Sequence, residues 1–201
     1  MNKTYYAIPL VLIVACIAGC ISGGDSSTYK GELEDLALDT GLLPEGWYDH
    51  MEMATVDTCV PPIASAITIE VAHAYNPGNG YITARLFQNV TRATEGDAGS
   101  VYTTFVTGMV EQYGEAWHTQ HEGDASLSEY AHTVIGDDSF ACIIETDEVT
   151  DPEEDVHEEM TQYYVAFVNK DIVVTILVQD YPSFIGMEEV LALAADISGR
   201  I

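Results

Sequence analysis

Residues 160–179 read MTQYYVAFVNKDIVVTILVQ and carry the strongest strand signal in the chain. It contains two runs of apolar and β-branched residues, 160–168 and 172–179, separated by the polar tripeptide at 169–171. The pattern predicts two strands joined by a tight hairpin turn. Because the apolar residues are nearly continuous rather than alternating, both faces of these strands should be covered. The hairpin is therefore predicted to lie in the middle of a sheet.

A second hairpin is predicted upstream of the first. The β-rich runs 67–75 and 81–88 flank a five-residue loop with the sequence NPGNG. Alternate residues of the first run share one face of the strand: Ile67, Ile69, Val71 and His73. Two further strands are predicted, a weaker one at 116–121 and a stronger one at 139–145.

Two helices are predicted from a spacing of apolar residues close to 3.6. The first runs from Asp97, its N-cap, to about residue 114, and its apolar positions form one stripe: Tyr102, Phe105, Val106, Met109, Val110 and Tyr113. The second is capped by Ser183 and ends near Gly199, with a stripe of its own: Val190, Leu191, Leu193, Ala194 and Ile197. Stripes of this kind are typical of helices packed on a core.

This order of elements predicts an α+β fold, with an antiparallel β-sheet and two main helices packed on it, preceded by a signal or anchor helix. The expected division is a signal peptide at 1–19, a lipidated tether and lead-in segment at 20–41, and a single α+β domain at 42–201. The order, with the sequence LLPEGW at residues 42–47 and a closing hairpin and helix, loosely resembles Mog1/PsbP-like lipoprotein domains. That resemblance implies a small sensor-like domain and assigns no functional residues.

The N-terminus has the layout of a secretory signal, with one basic residue, an apolar run from Tyr5 to Ala18 and small residues before Cys20. Ile17-Ala18-Gly19-Cys20 resembles the lipobox of prokaryotic lipoproteins, in which the cysteine is acylated. We therefore predict that Cys20 is lipidated and anchors the rest of the chain to the outer face of the cell membrane. An uncleaved anchor is the alternative, because about 17 apolar residues reach the lower limit for spanning a bilayer.

The charge balance is strongly acidic, with 33 Asp and Glu against 6 Lys and Arg. Loss of Lys3 with the signal leaves a formal charge of −28 on the mature chain. Such a surface repels polyanions, which argues against nucleic acid as a partner and leaves the lipid as the means of holding the membrane. The acidity suits high ionic strength, and with the mature start CISGG it resembles exported lipoproteins of methanogenic or halophilic archaea.

The four cysteines divide by compartment. Cys16 lies in the signal and Cys20 takes the lipid, which leaves Cys59 and Cys142 facing outward. We predict a disulfide between them, which would stabilise the fold by about 4.5 kcal/mol in the chain-entropy description. Two buried free thiols are the alternative.

Two segments carry side chains suited to metal ions. His118 and His121 offer imidazole ligands with carboxylates nearby, although on a strand they would point to opposite faces. The acidic run 145–159 offers oxygen ligands to Ca²⁺, and its candidates are Asp151, Glu153, Glu154 and Asp155. A solvated connection and a solvated acidic loop are the alternatives. No other cofactor is predicted.

No catalytic motif is present: the sequence lacks a nucleophile elbow, a P-loop and a dinucleotide fingerprint. Ser139, with His132 nearby, is better explained as part of a turn that enters a strand. Asn89 begins the sequon Asn89-Val90-Thr91 at the end of a predicted strand and is a candidate N-glycosylation site.

Three functions are compatible with these features, and the first is favoured. A surface-anchored binding or sensing module would show a concave pocket for a small molecule, a cation or another envelope protein. A structural envelope protein would show an exposed apolar patch instead. An enzyme would need titratable side chains that converge in a cleft.

Overall fold

The computed structural model describes residues 28–49, 54–56, 60–76, 81–113, 123–151, 156–180 and 185–201. Within these ranges no helix is long and apolar enough to cross a membrane. The signal sequence and Cys20 lie outside them, so the cleaved signal and the lipid anchor stay predictions.

The strands pair antiparallel in one sheet. Six long strands form its body and two three-residue strands extend the edge at β3: β1 (Trp47–Asp49), β2 (Ala54–Val56), β3 (Ile63–Asn76), β4 (Tyr81–Ala93), β5 (Gly123–Glu129), β6 (Asp138–Asp151), β7 (Val156–Asn169) and β8 (Ile172–Asp180). The order across the sheet is β1-β3-β4-β8-β7-β6-β5, and β2 also pairs with β3. The last strand therefore returns to the middle of the sheet, beside β4.

Two helices cover opposite faces of this sheet, α1 (Ala98–Tyr113) and α2 (Met187–Arg200). The core on the α2 side is built from the helix, the N-terminal segment and alternate residues of the strands, whereas α1 packs on the other set of alternate residues. The predicted α+β fold with an antiparallel sheet and two packed helices is confirmed for the described residues.

The hairpin of β7 and β8 lies in the middle of the sheet, as its sequence predicts. Val168 faces Val173 and Asn169 faces Ile172, so the turn consists of Lys170 and Asp171. Lys170 adopts a φ of 57°, a left-handed conformation that non-glycine residues seldom take. Its N–H donates to the carboxylate of Asp137 at 2.9 Å, which stabilises the turn.

The predicted stripe of α1 is right in outline and wrong at one position. Tyr102 and Tyr113 are buried, whereas Val110 is 41% exposed. Val101, which was not assigned to the stripe, is buried in its place. The stripe is displaced because a helix turns slightly more than a quarter of a circle per residue, so a position at its margin moves out of the core with a small rotation. In α2 four of the five predicted stripe residues are buried, whereas Leu191 is only half-buried and lines the outer side of the helix. The helix begins at Met187, which is also buried, and Ser183 lies outside the described residues.

The folded domain begins earlier than the predicted boundary at residue 42. Leu33, Leu36 and Leu38 are buried against the sheet, and Leu36 is completely inaccessible. The amide of Gln88, also fully buried, donates to the carbonyl of Leu36 at 2.8 Å and accepts the N–H of Leu38 at 2.7 Å. Residues 33–38 therefore belong to the core, and the tether is shorter than predicted.

The start of the described chain is also attached to the sheet. Asp171, which is 4% exposed, accepts the N–H of Tyr29 at 2.6 Å. Arg92 lies 3.7 Å from the other oxygen of Asp171 and donates to the carbonyl of Gly31 at 2.7 Å. Its guanidinium group also lies over the Tyr29 ring, 5.9 Å from the centroid. The tether consequently leaves the domain at the end of the sheet where β7 turns into β8.

The acidic run at 145–159 is not a simple loop. The strands β6 and β7 extend through most of it and pair carboxylates across the sheet, with Asp147 facing Asp124 on one side and Glu159 on the other. The edge strand β5 was not predicted, because its sequence, GDASLSE, is polar and lacks β-branched residues. Residues 116–121, where a strand was expected, lie outside the described part of the chain.

Candidate functional site

A groove runs along the outer side of α2, between this helix and the segment that joins β5 to β6. One wall is formed by residues 131–136. The other is formed by six residues of the helix: Glu188, Leu191, Ala192, Ala195, Ser198 and Gly199. The groove, called the α2 groove below, has a volume of about 730 Å³. Small-molecule sites in proteins typically measure about 300–1,000 Å³.

The wall opposite the helix has no regular secondary structure and is fixed at both ends. At one end the N–H of Tyr130 donates to the carbonyl of Ala141 at 2.8 Å, and its hydroxyl donates to Glu188 at 2.6 Å. At the other end Gly136 has a φ of 67°, and a Cβ there would lie 2.4 Å from the carbonyl oxygen of Val168. Only glycine fits such a position, so this end of the wall is held against β7.

His132 holds the middle of the wall. Its Nδ1 lies 2.9 Å from the carbonyl oxygen of Tyr130, and its Nε2 lies 2.9 Å from Oγ of Ser139. Because a carbonyl only accepts, we assign the proton of the neutral ring to Nδ1, so that Nε2 accepts from the Ser139 hydroxyl. The Ser139 oxygen in turn accepts the N–H of Ile135 at 2.9 Å. Ser139 does not line the groove, and its hydrogen bonds attach the wall to β6.

The helical wall presents small residues to the groove. The buried stripe of α2 faces the sheet, while Ala192, Ala195 and Gly199 are exposed on the groove side. These three residues are three and four positions apart and therefore share one face of the helix. With side chains this small, a ligand can approach the helix backbone closely.

The groove carries negative charge at the end where Glu188 meets Tyr130. The hydrogen bond to the Glu188 carboxylate raises the pKa of the Tyr130 hydroxyl, which therefore stays protonated as the donor. No lysine or arginine lines the groove among the described residues. Arg200, at the end of α2, is engaged elsewhere, because it donates to the carbonyls of Asp35 and Ala37 at 2.8 and 3.0 Å.

A second cluster of titratable groups lies beneath α1 and is closed to solvent. Burial raises the pKa of the Cys142 thiol to about 12, and burial also raises the pKa of Tyr102 to about 12. Tyr113 donates to the side-chain oxygen of Gln162 at 3.0 Å, and both residues are buried. A thiol that is neutral at physiological pH and inaccessible is a poor nucleophile, so this cluster is part of the core.

The predicted Cys59–Cys142 disulfide is not found. Cys142 is a free, fully buried thiol, and Cys59 lies outside the described residues. The alternative of a buried free thiol therefore holds for Cys142.

The candidate glycosylation site lies in the middle of a strand and not at its end. Asn89 belongs to β4, between β3 and β8. Its side-chain nitrogen, the atom that a glycan would modify, donates to the hydroxyl of Thr175 at 3.2 Å, and its oxygen accepts from Thr68 at 2.7 Å. In the folded chain this amide is half-buried and engaged in hydrogen bonds, and glycosylation of Asn89 stays a prediction.

The metal predictions fall largely outside the described residues. His118, His121, Glu153, Glu154 and Asp155 all lie there, and Asp151 ends β6 with only its backbone described. No group of three potential metal ligands is found among the residues that the structure describes. Transition-metal and Ca²⁺ binding stay predictions.

The groove itself was not predicted from the sequence. Tyr130 and Glu188 are 58 residues apart and meet only in the fold. The available local signal was the run of small residues on the side of α2 opposite its buried stripe.

Together, the fold and the groove define an α+β domain with an open, partly apolar surface site. The fold is similar to that of the extracellular domain of PknH from Mycobacterium tuberculosis, with a TM-score of 0.55 over 84% of this chain and 95% of that chain. The two sequences are 9% identical, so the likeness concerns the fold alone. The sequence matches no family model and no curated protein.

Proposed function

We propose that this chain is a surface-anchored lipoprotein whose folded domain is a ligand-binding or sensing module on the extracytoplasmic side of the membrane. The signal sequence with its lipobox at Cys20 supports export of the chain and its attachment to the membrane through a lipid. The α2 groove supplies the site, and it is the observation that supports binding most directly. The shared fold with an extracellular domain is compatible with this location.

The arrangement of the domain suits a tethered receptor. The tether leaves at the end of the sheet where Asp171 binds the backbone of Tyr29. Thr28 follows Cys20 by eight positions, which at about 3.5 Å per extended residue hold the domain within about 28 Å of the bilayer. The many carboxylates keep the domain itself from adhering to anionic lipid headgroups.

A structural envelope protein is less well supported, because that function calls for a continuous apolar surface. Among the described residues the large hydrophobic side chains with high exposure are Leu42, Val60, Val110 and Val134. They lie on separate elements, since Val110 belongs to α1 and Val134 to the groove on the other side of the sheet. Single exposed side chains of this kind are usual in soluble domains.

An enzymatic function is also less well supported. The pair of His132 and Ser139 has the hydrogen bond of a base and a nucleophile, but the base is oriented by a carbonyl and the serine oxygen already accepts the N–H of Ile135. Neither arrangement is that of an activated nucleophile facing a cleft. We propose a binding role and no catalytic one.

The experiment is a thermal-shift screen of the full chain in detergent against divalent cations, small metabolites and short peptides. We expect one ligand class to raise the melting temperature, and Ala195→Trp, which fills the groove, to abolish that rise. Thr107→Trp is the matched control, because Thr107 is exposed on α1 at the opposite face of the sheet. A ligand that stabilises the wild type and Ala195→Trp equally would place binding elsewhere. A screen without any stabilising ligand would contradict the binding function.

A further inference from the structure

Main-chain groups in the wall of the α2 groove have no hydrogen-bond partner among the residues that the structure describes. Tyr130 is the last residue to pair with β6, and regular pairing does not resume before Ile135 binds Ser139. The main-chain N–H and C=O groups of residues 131–134 form no hydrogen bond within the part of the chain that the structure describes. Ala131, Thr133 and Val134 are exposed. An exposed segment whose main-chain donors and acceptors have no partner among the described residues can pair with one more strand.

The groove has the length for such a strand. The wall and the helix run side by side, since Tyr130 meets Glu188 at one end and Asn169, beside Gly136, binds Ser198 at the other. From Glu188 to Gly199 the helix advances about 16 Å at roughly 1.5 Å per residue. An extended chain covers that distance with about five residues of roughly 3.3 Å each. The residues of α2 that face the wall include Ala192, Ala195 and Gly199, whose side chains are small or absent.

The negative charge of the groove favours a positively charged ligand. Glu188 stands at one end of the groove, and no lysine or arginine lines it among the described residues. The mature chain carries a formal charge of −28, which attracts cations and repels acidic segments at a distance. A peptide with basic side chains therefore fits the groove electrostatically, while an acidic peptide does not.

We propose that the α2 groove binds an extended, positively charged peptide segment of a partner protein, which pairs with the main chain of residues 131–134 as an added strand. This inference rests on the proposed binding function and names the class of ligand. Main-chain pairing provides affinity in such complexes and the side chains provide selectivity. Here Glu188 binds a basic side chain at one end, and the small residues of α2 accept alternate side chains of the peptide.

The test uses amide hydrogen exchange on the full chain in detergent. The probe is a pool of acetylated and amidated pentapeptides with lysine at both ends and three uncharged residues between. We expect amide exchange at residues 131–134 to slow by at least about tenfold, because pairing protects N–H groups from solvent. A second pool with glutamate at both ends, and a third with lysines and N-methylated main-chain nitrogens, should leave the exchange unchanged.

Two variants keep the test decisive. Ala195→Trp should remove the protection, and Thr133→Pro, which lacks the Thr133 N–H, should weaken it, while Thr107→Trp should retain it. The melting temperature of each variant shows that it is folded. Equal protection by the lysine and glutamate pools, or by the lysine and N-methylated pools, would overturn the inference. If no pool slows exchange while a metabolite or cation stabilises the wild type and not Ala195→Trp, the peptide inference fails and the proposed binding function stands.

Discussion

The Gln88→Ala substitution tests whether the N-terminal segment is part of the cooperative fold. Gln88 is completely buried, and its amide holds the main chain of the segment through Leu36 and Leu38. Removal of the amide leaves a buried carbonyl and a buried N–H without partners, each at a cost of about 1–3 kcal/mol. Together with the cavity left behind, we expect a loss of about 3–5 kcal/mol in the free energy of unfolding. That is a large part of the stability of a domain of this size.

Urea-induced unfolding, followed by circular dichroism, measures this loss. Gln179→Ala is the matched control, since Gln179 on the neighbouring strand is only half-buried and its side chain reaches Gln162 at 3.4 Å. We expect the control to lose less than about 1 kcal/mol. Gln88→Met keeps most of the volume and removes both hydrogen bonds, so its difference from Gln88→Ala isolates packing. If Gln88→Ala behaves like the control, residues 33–38 are a detachable tether and the revised domain boundary is wrong.

Three further predictions follow from the described contacts. Between about pH 9 and pH 12 the unfolded chain ionises Cys142 while the folded chain keeps it protonated, so stability should fall by up to about 1.4 kcal/mol per pH unit from this group. Urea unfolding at several pH values measures the slope, and an unchanged slope in Cys142→Ala would refute the assignment. Asp124→Asn removes one of three carboxylates in a cross-strand row and should stabilise the fold by about 0.2–1 kcal/mol at low salt, an effect that about 1 M salt should cancel. Gly136→Ala should lower the melting temperature, because the added Cβ would meet the Val168 carbonyl. Gly99→Ala is the control, since a Cβ at Gly99 has no atom within 4 Å. A melting temperature of Gly136→Ala equal to that of the wild type or of the control would contradict the packing at this end of the wall.

The central hairpin and the last helix could be predicted from sequence because their signals are local. The runs that form β7 and β8 are apolar on both faces, which only the middle of a sheet accommodates. The buried stripe of α2 repeats at helical spacing over its whole length. In both cases neighbours in the sequence share one environment in the fold.

The N-terminal segment and β5 could not be predicted, because what stabilises them is contact with residues that are distant in the sequence. In the segment Leu33–Leu36 two acidic residues lie between the buried leucines, and the 3-10 helix that contains them is only four residues long. The burial of the segment depends on Gln88, about 50 residues away. A glutamine within a strand is ordinarily expected to be exposed to solvent. The polar strand β5 is stabilised by its pairing with β6, and its own residues do not indicate this pairing.

The groove lies beyond sequence reasoning because both walls are assembled by contacts between distant residues. Ser139 and His132 were visible as neighbours in the sequence, but their role in fastening the wall became apparent only from the hydrogen bonds to Tyr130 and Ile135. The compartment and the number of cysteines carry no information on burial, so the sequence alone could not show that Cys142 is a free thiol in the core.

We propose that the α2 groove faces the outside of the cell on a lipid-anchored domain. A variant with Ala195→Cys and Cys59→Ser tests it, because Cys142 is buried with its pKa raised to about 12 and does not react while the chain is folded. A membrane-impermeant maleimide is applied to intact cells. The chain is then recovered from the membrane fraction, and its molecular mass is measured by mass spectrometry. We predict that the reagent labels Ala195→Cys in intact cells and that the chain begins at an acylated Cys20. Labelling only after the cells are broken, or a chain that retains residue 1, would contradict the account.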